Sequence, residues 1–347
     1  MCFSNTYLTY VSHTSKIFKR IKMKRLLAIL ALVPMLVFAQ SWTPPKTVTA
    51  IVGNAPGAGN EIAFRKAAEI VTRTTGINFV IENRPGADSV IAMNMMMTKP
   101  SDGSVVALPS HMSTYVTNDI WEKNVKKFEW NSFEEVLSYG KAPLVVVSAA
   151  RSSINTPADL LKMFQTVDRP INVAIGGGAH RMAFEYMMVK TRADRNQIKH
   201  IKFNGPAQAV SSVAAYDGKI GTELGIMPAA IALPLVQAGK VKFIGLTGTK
   251  KLQQIPTVPL LSDAIPGVMA QAGWNLVLPP MTPRPIVDWY VKEFGRALKT
   301  QEYRQWAEDN LIIVDEKDHT PEGVRAHMAD LRQRFLPMAQ YISQEGN

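Results

Sequence analysis

The sequence predicts an α/β protein, and three observations lead to this class. Short apolar segments alternate with amphipathic helical segments, which is the pattern of helices packed on mainly parallel sheets. Glycine- and proline-rich turns, such as NRPGADS and LPPMTPRP, separate these segments. After the first 39 residues about 308 remain, and 46% of the whole chain is apolar. That length and composition suffice for two hydrophobic cores.

Seven short apolar segments predict the strands of the sheets. Each is followed by turn residues or by a segment with helical periodicity. The predicted strands are Val48–Val52, Phe79–Ile81, Val105–Leu108, Leu144–Ser148, Asn172–Ala174, Ile198–Phe203 and Val241–Leu246.

Two of the predicted helices have clear apolar stripes. The first ends at Gly76, because glycine tolerates the left-handed backbone of a helix C-cap. Its stripe comprises Ile62, Ala63, Ala67, Ile70 and Val71. The second begins at Pro285, since proline at the first helical position loses no hydrogen bond. Its inward residues are predicted to be Ile286, Val287, Tyr290, Val291, Phe294 and Leu298.

The start of the chain has the three parts of a secretory signal peptide. Lys24 and Arg25 precede the apolar run Leu26–Phe38, and small residues at its end favour cleavage near Ala39. The run is too short to span a membrane stably. We therefore expect a periplasmic mature protein from about Gln40, with residues 1–22 reflecting an upstream start codon. The alternative is a retained amphipathic anchor that carries Lys16, Lys19, Arg20 and Lys22.

Removal of this segment changes the charge and the cysteine content. The first 39 residues carry six basic and no acidic residues, so the formal charge falls from +11 to +5. The remaining basic residues are dispersed, which argues against a nucleic-acid partner. The single cysteine, Cys2, is also removed. The mature chain therefore has neither a disulfide nor a cysteine-ligated metal site, and it is not a lipoprotein.

The turn after the first strand also allows an enzymatic interpretation. Gly53, Gly57 and Gly59 have the spacing of a short-chain dehydrogenase cofactor loop, and Tyr186-x-x-x-Lys190 matches the catalytic pair of those enzymes. Export removes the protein from the cytoplasmic nicotinamide pool, however, and the tyrosine lies in an apolar amphipathic stretch. The serine expected about a dozen residues upstream is missing. An NAD(P)-dependent oxidoreductase remains a remote alternative.

Several motifs together resemble a known family. In chain order they are IVGNAPGAGNEIAFR, VIENRPGADS, KPSDG, GGGAH, NGPAQAV, QAGKVKFIGLTGTKKLQQIPTVPLLSDA, GW and LPPMTPRPIV. Their order and spacing resemble the periplasmic solute-binding receptors of tripartite tricarboxylate transporters, the Bug receptors. The resemblance extends from about Val48 to Val314, and the ENRPGA and IPTVP segments are its most specific parts.

The resemblance implies a two-lobed Venus-flytrap protein, each lobe a mixed sheet flanked by helices. The first lobe then comprises residues 40–141 and 249–347, and the second comprises residues 142–248. The chain crosses between lobes near Lys141–Val145 and Leu246–Thr249. Members capture small carboxylates and deliver them to a membrane permease, so we expect a monomeric receptor with no cofactor, no metal and no enzymatic activity. A receptor that feeds a signalling partner would have the same sequence features.

The predicted ligand residues of the first lobe surround the glycine turn. Glycines after a strand let the backbone approach a ligand, and the next helix offers N–H groups and the positive end of its dipole to an anion. The family pattern has a second glycine and an aspartate where this chain has Ala58 and Glu61. Asn60 and Glu61 contact the ligand, cap the helix, or do both. The predicted contacts here are Gly57, Ala58, Gly59, Asn60 and Glu61, with Ser110 after a later strand.

The predicted ligand residues of the second lobe lie in loops that follow strands, where open α/β sheets bind ligands. The stretch AIGGGAHRMAF follows the strand Asn172–Ala174 and opens a helix. His180 in this stretch is either a ligand contact or a cap or packing residue. Asn204 follows another predicted strand. In the family, a tyrosine that this chain lacks usually precedes this position in the same segment. The predicted contacts are Gly176, Gly177, Gly178, Ala179, His180 and Asn204.

Overall fold

The computed structural model describes residues 42–166, 168–248 and 250–345. The predicted signal peptide and its cleavage site lie outside these residues. From Pro44 onward, the described residues form one compact unit. In the described ranges, none of the helices is both long enough and apolar enough to cross a membrane.

The described part of the chain contains nine strands, and seven of them correspond to the predicted segments. The strands are β1 (Thr47–Val52), β2 (Asn78–Asn83), β3 (Val105–Ala107), β4 (Glu134–Ala149), β5 (Ile171–Ile175), β6 (Ile198–Lys202), β7 (Leu224–Pro228), β8 (Val241–Leu246) and β9 (Gln271–Leu278).

The strands form two sheets that share β4. Strand β1 pairs in parallel with β2 and β3, and β5 pairs in parallel with β6 and β7. Strand β4 is antiparallel to all its partners: β9 along residues 134–143, and β7 and β8 along residues 144–149. Antiparallel pairing is therefore more extensive than the helix–strand alternation predicts, because β4 and β9 are not joined to their partners by crossover helices.

The two sheets define two lobes with mixed sheets, as predicted. We call the part with β1, β2, β3, β9 and the first half of β4 the first lobe. The part with β5 to β8 and the second half of β4 is the second lobe. Strand β4 changes partner between Pro143 and Leu144, inside the predicted first crossing. The residue limits given for the lobes in the sequence analysis stay a prediction.

Ten α-helices cover the sheets in the described residues. They are α1 (Gly59–Thr75), α2 (Val90–Met96), α3 (Asn118–Trp121), α4 (Pro157–Thr166), α5 (Gly178–Thr191), α6 (Pro206–Ala214), α7 (Ala229–Gln237), α8 (Arg284–Lys299), α9 (Gln301–Asp309) and α10 (Pro321–Glu345). A π-helical turn, Ser113–Thr117, precedes α3.

Helix α1 ends as the sequence predicts. Gly76 has the left-handed backbone (φ 73°), and its N–H donates to the Thr72 carbonyl oxygen at 2.8 Å. The apolar stripes of α1 and α8 are buried, with two exceptions: Ile62 is exposed and Val291 is half-buried. Burial of these stripes holds both helices on the first lobe.

Candidate functional site

A cavity of about 30 Å³ lies between the lobes. A void of this size holds water but no organic acid, so a ligand needs the two walls to separate. Larger grooves, of about 570 and 380 Å³, lie elsewhere and contain none of the predicted site residues. The cavity is lined by Asn54, Ala58, Gly59, Asn60, Ser110, Met112, Ser113, Gly176, Gly177, Gly178, Ala179, His180, Pro206, Pro228, Ala272, Gly273 and Trp274.

Nine of the twelve predicted contact residues line this cavity, and three do not. The lining residues are Ala58, Gly59, Asn60, Ser110, Gly176, Gly177, Gly178, Ala179 and His180. Gly57, Glu61 and Asn204 are outside the lining set. Whether any of the twelve contacts a ligand stays a prediction, but the structure brings the two predicted glycine loops to opposite sides of one cavity.

The first wall of the cavity is the N-terminus of helix α1, which contacts the aromatic residues Trp274 and Tyr139. A Cβ on Gly59 would stand 2.7 Å from the Trp274 ring, so only glycine allows the helix to approach this closely. Trp274 stacks on Tyr139 with ring centroids 6.3 Å apart, and the Tyr139 hydroxyl donates to the Asn60 carbonyl oxygen at 3.2 Å. These contacts hold the first N–H groups of α1, which lack intrahelical partners, toward the cavity.

The side chain of Asn60 joins the ends of two strands. Its amide donates to Asn54 Oδ1 and to the Leu108 carbonyl oxygen, each at 3.1 Å. Its Oδ1 accepts from the Glu61 N–H at 3.0 Å. Asn60 therefore has a structural role in addition to its place on the cavity wall.

Glu61 is buried but is directed toward other partners. Its Oε1 accepts from the Arg65 guanidinium at 2.7 and 2.9 Å. Its Oε2 accepts from the Asn83 amide at 3.0 Å and from the Gly57 N–H at 3.3 Å. The carboxylate is thus paired and closes the glycine turn, but the helix start has no side-chain cap hydrogen bond, and whether Glu61 contacts a ligand stays a prediction.

The second wall is the loop between β5 and helix α5. A Cβ on Gly176 would stand 2.7 Å from the backbone of Gly205, so the two loops of this lobe pack without side chains between them. His180 is buried, and its Nδ1 accepts from the Gly176 N–H at 3.3 Å. Burial lowers the pKa of His180 to about 3, so the imidazole is neutral at physiological pH.

Helix α5 meets the first lobe at Gly178. The Gly178 N–H donates to Ser113 Oγ in the π-helical turn at 3.2 Å. A Cβ on Gly178 would stand 2.6 to 2.8 Å from three oxygen atoms of the first lobe, those of Thr117, Asp88 and Ser113. Gly178 therefore fits into an oxygen-lined notch of the opposite lobe.

The loops outside the cavity also join the lobes. The Asn204 carbonyl oxygen accepts from the Ala55 N–H at 3.0 Å, and Asn204 itself is exposed. A Cβ on Gly57, where φ is 84°, would stand 3.7 Å from the Ala207 Cβ. Both residues thus mark the contact between lobes rather than the cavity itself.

Sequence reasoning missed eight lining residues. They are Asn54, Met112, Ser113, Pro206, Pro228, Ala272, Gly273 and Trp274. The IVGNAPGAGNEIAFR, GW and NGPAQAV segments contain four of these and were the available signals. Ser113 begins a π-helical turn and Met112 directly precedes it, and such turns occur often at functional sites.

A buried polar network lies behind the first wall. His111 Nε2 is 2.6 Å from Asn275 Oδ1, and the Asn275 amide donates to Tyr115 and Glu135 at 3.2 and 3.3 Å. The Tyr115 hydroxyl donates to Glu135 Oε1 at 2.6 Å. Burial raises the pKa of Glu135 to about 8 and lowers the pKa of His111 to about 3. Both groups are therefore neutral near pH 7.

This network predicts a pH dependence of stability. The Glu135 carboxyl loses its proton near pH 4.5 when unfolded and near pH 8 when folded, so the folded state binds the extra proton between these values. The contribution of this extra proton affinity to the free energy of unfolding is full below pH 4.5, and it is lost as the pH rises toward 8. We expect Glu135→Gln to flatten the decline of the melting temperature between about pH 5 and about pH 8.5.

The wild-type protein measured in parallel is the control, because His111 contributes similarly to both proteins and cancels in their difference. Parallel pH profiles of the variant and the wild type, by differential scanning fluorimetry, would contradict this account of Glu135.

The dehydrogenase-like residues do not meet at the cavity. The Tyr186 hydroxyl donates to the Pro266 carbonyl oxygen at 3.1 Å, and Lys190 Nζ lies 5.5 Å from the Tyr186 ring centroid. Neither residue lines the cavity. In the part of the chain that the structure describes, three or more histidine, cysteine or acidic residues nowhere gather in an arrangement that could hold a metal ion.

The two sheets, the shared strand β4 and the cavity between opposed glycine loops define a two-lobed α/β solute-binding protein. The chain belongs to the tripartite tricarboxylate transporter family of receptors, whose sequence model matches residues 62–319. This confirms the resemblance inferred from the motifs.

Known relatives cover most of the chain. Protein BugT of Bordetella pertussis is 23% identical over 299 residues, which cover 84% of this chain and 88% of BugT. The solved structure of periplasmic binding protein BugD has a TM-score of 0.79 at 19% identity, covering 86% of this chain and 98% of its own. MatC of Rhodopseudomonas palustris, with bound malate, has a TM-score of 0.77 at 19% identity, covering 86% and 100%. At these identities the structures show a shared fold.

Proposed function

We propose that the protein is an extracytoplasmic receptor that binds a small organic carboxylate between its lobes and delivers it to a tripartite tricarboxylate transporter permease. The observation that supports this most strongly is the position of the α1 N-terminus on the cavity wall. The first N–H groups of a helix and its dipole favour an anion.

The other lining residues also favour a negative ligand group. The cavity's own lining residues include no acidic side chain. Glu61, the nearest acid on α1, is already paired with Arg65 at 2.7 Å. His180 is neutral and the remaining polar lining groups are amides, hydroxyls and backbone N–H groups. Such groups solvate a carboxylate without a fixed counter-ion.

The family and one relative support the same ligand class. Receptors of this family serve tricarboxylate transporters, and the MatC structure contains bound malate. We extend the carboxylate class to this chain, together with a permease partner, a monomeric state and the absence of catalysis.

Mass spectrometry of small molecules released on denaturation tests the carboxylate proposal. We expect an organic acid of low molecular mass, and calorimetric titration of the emptied protein with that acid should give a one-to-one isotherm. A protein that releases none and binds none of a panel of mono- and dicarboxylates would contradict the proposal.

The periplasmic location is tested separately. We expect the mature N-terminus at Gln40 in protein recovered by osmotic shock, because the segment before Ala39 has the features of a signal peptide. N-terminal sequencing measures this directly. A retained Met1 or Met23 would contradict it.

A further inference from the structure

A second cavity, of about 380 Å³, lies away from the cavity between the glycine loops and shares none of its lining residues. This volume is within the usual range of small-molecule sites, about 300–1,000 Å³. The end of helix α3, one side of helix α5, strand β6 with the loop before it, and the end of helix α10 surround it. We call it the arginine pocket, and its charged lining residues are Arg181, Glu185, Arg195 and Lys199.

The arginine pocket has an excess of positive charge. Its cationic side chains are those of Arg181, Arg195 and Lys199, and Glu185 is the one acidic residue of the described lining. His200 adds no charge near pH 7, because burial and the nearby Arg181 lower its pKa. Three cations against one carboxylate leave two positive charges in excess. The lining therefore favours an anion, and a divalent anion balances its charge.

Two acids outside the lining also act on Arg181, but they do not reverse this charge. Glu122 pairs with Lys202 at 2.7 Å, so the two together are neutral. Asp88 is enclosed, and burial raises the pKa of its carboxyl, which disfavours the charged form. Even an ionised Asp88 leaves one positive charge in excess.

Glu185 holds the two arginines together but does not satisfy them. Its Oε2 accepts from Arg195 Nη1 at 2.8 Å, whereas its Oε1 lies 3.9 Å from Arg181 Nε, beyond hydrogen-bond distance. Arg181 Nε and Arg195 Nη2 are buried and have no hydrogen-bond partner among the described residues. Arginine keeps its charge at physiological pH, so these donors gain from an acceptor that enters the pocket. The two side chains remain 28% and 34% exposed, which gives an ion access to them.

Trp121 fixes the orientation of Arg181. The guanidinium carbon lies 3.9 Å from the Trp121 ring centroid. Stacking uses the flat face of the guanidinium and leaves the N–H groups at its edge for oxygen acceptors, such as those of a phosphate. Trp121 is on the first lobe, whereas the charged residues of the arginine pocket are all on the second. Anion binding to these residues therefore does not depend on closure of the lobes.

We propose that the arginine pocket is a second ligand site, which binds a divalent oxyanion, a phosphate or sulfate group, between Arg181 and Arg195. This site goes beyond the proposed function, because it shares no lining residue with the cavity between the lobes. The pocket is larger than one inorganic oxyanion, so the group enters either as a free ion or as the phosphate of an ester.

Calorimetric titration of the purified protein with inorganic phosphate, sulfate and phenyl phosphate tests the site. The titrations are made at about pH 8, where the phosphate groups are mainly divalent. We expect saturable one-to-one binding of phosphate. Arg195→Gln, which removes a charge and donor groups, should weaken this binding about tenfold or more. Lys199→Gln changes an exposed residue and should weaken it about twofold to fivefold.

The phenyl phosphate titration distinguishes the two sources of the group. Tighter binding of phenyl phosphate than of inorganic phosphate supports the site with an ester as its ligand. Weaker binding supports the site with a free ion as its ligand. In both cases Arg195→Gln should weaken the binding of the preferred probe.

Arg334→Gln is the matched control, because Arg334 is an exposed arginine of α10 that pairs with Asp330 at 2.5 Å and lies outside the pocket lining. It should keep the wild-type affinity. The proposal is overturned if none of the three probes binds saturably, if a folded Arg195→Gln protein keeps the wild-type affinity, or if Arg334→Gln loses as much as Arg195→Gln. If Arg195→Gln does not fold, an unchanged affinity in Lys199→Gln overturns it. These outcomes leave carboxylate binding between the lobes untouched.

Discussion

Gly178→Ala is expected to leave the protein folded and to weaken carboxylate binding by about tenfold or more. A Cβ there would stand 2.6 Å from Thr117 Oγ1, 2.7 Å from Asp88 Oδ2 and 2.8 Å from Ser113 Oγ. These three atoms belong to the opposite lobe, so the methyl group opposes closure rather than the folding of either lobe. Forcing a methyl group into a packed space costs about 1–3 kcal/mol, which is the origin of the expected loss.

The matched control is Gly295→Ala in helix α8, where a Cβ meets no atom within 4 Å. That change should leave binding unchanged and stabilise the helix by about 0.5–1 kcal/mol, because alanine is the better helix former. Calorimetry gives the affinities and thermal unfolding gives the stabilities. Wild-type affinity in Gly178→Ala would show that the closed contact at the notch is not needed for binding.

Trp274→Ala should have the largest effect on stability. The ring is 4% exposed, packs against Gly59 and stacks on Tyr139. Removing a buried tryptophan ring costs about 3–5 kcal/mol and leaves a void under the α1 N-terminus. The N-terminus of helix α1 then loses the ring on which it packs, so its first N–H groups are no longer held toward the cavity. We therefore expect both a lower free energy of unfolding and loss of carboxylate binding.

The comparison variant is Trp306→Ala in helix α9. Trp306 is half-buried and packs on Tyr303, away from the cavity lining. Its removal should destabilise the protein less and should not change the affinity of the folded fraction. Chemical denaturation with fluorescence detection measures both unfolding energies. Equal losses of affinity in the two variants would mean that Trp274 acts only through global stability.

Local patterns in the sequence predicted a large part of the first wall. The strand, the glycine turn and the helix from Val48 to Val71 are each specified by residues that are close together in the sequence. The pairing of Glu61 with Arg65 has the i, i+4 spacing of helix ion pairs and was open to the same reasoning.

The contribution of β9 to the site was not predictable in this way. Gly273 and Asn275 interrupt its strand pattern, yet Gly273 must lack a side chain because a Cβ would stand 2.2 Å from His111 Nδ1. The strand is stabilised by long-range antiparallel pairing with β4, which no local pattern specifies. The left-handed turn at Asp88 has the same cause, since neither aspartate nor serine requires that backbone and the contacts of Ser89 and Asn118 impose it.

The most direct test of the central claim is the distance between the lobes with and without ligand. The chain from Gln40 onward has no cysteine, so Val80→Cys and Ile220→Cys introduce two unique labelling sites. Both native side chains are exposed, at 52% and 76%, one on each lobe. Pulsed electron paramagnetic resonance of the doubly spin-labelled protein should show a shorter mean distance when malate or aspartate, whichever binds by calorimetry, is saturating. An unchanged distance distribution at saturation would contradict the account of a carboxylate enclosed between closing lobes.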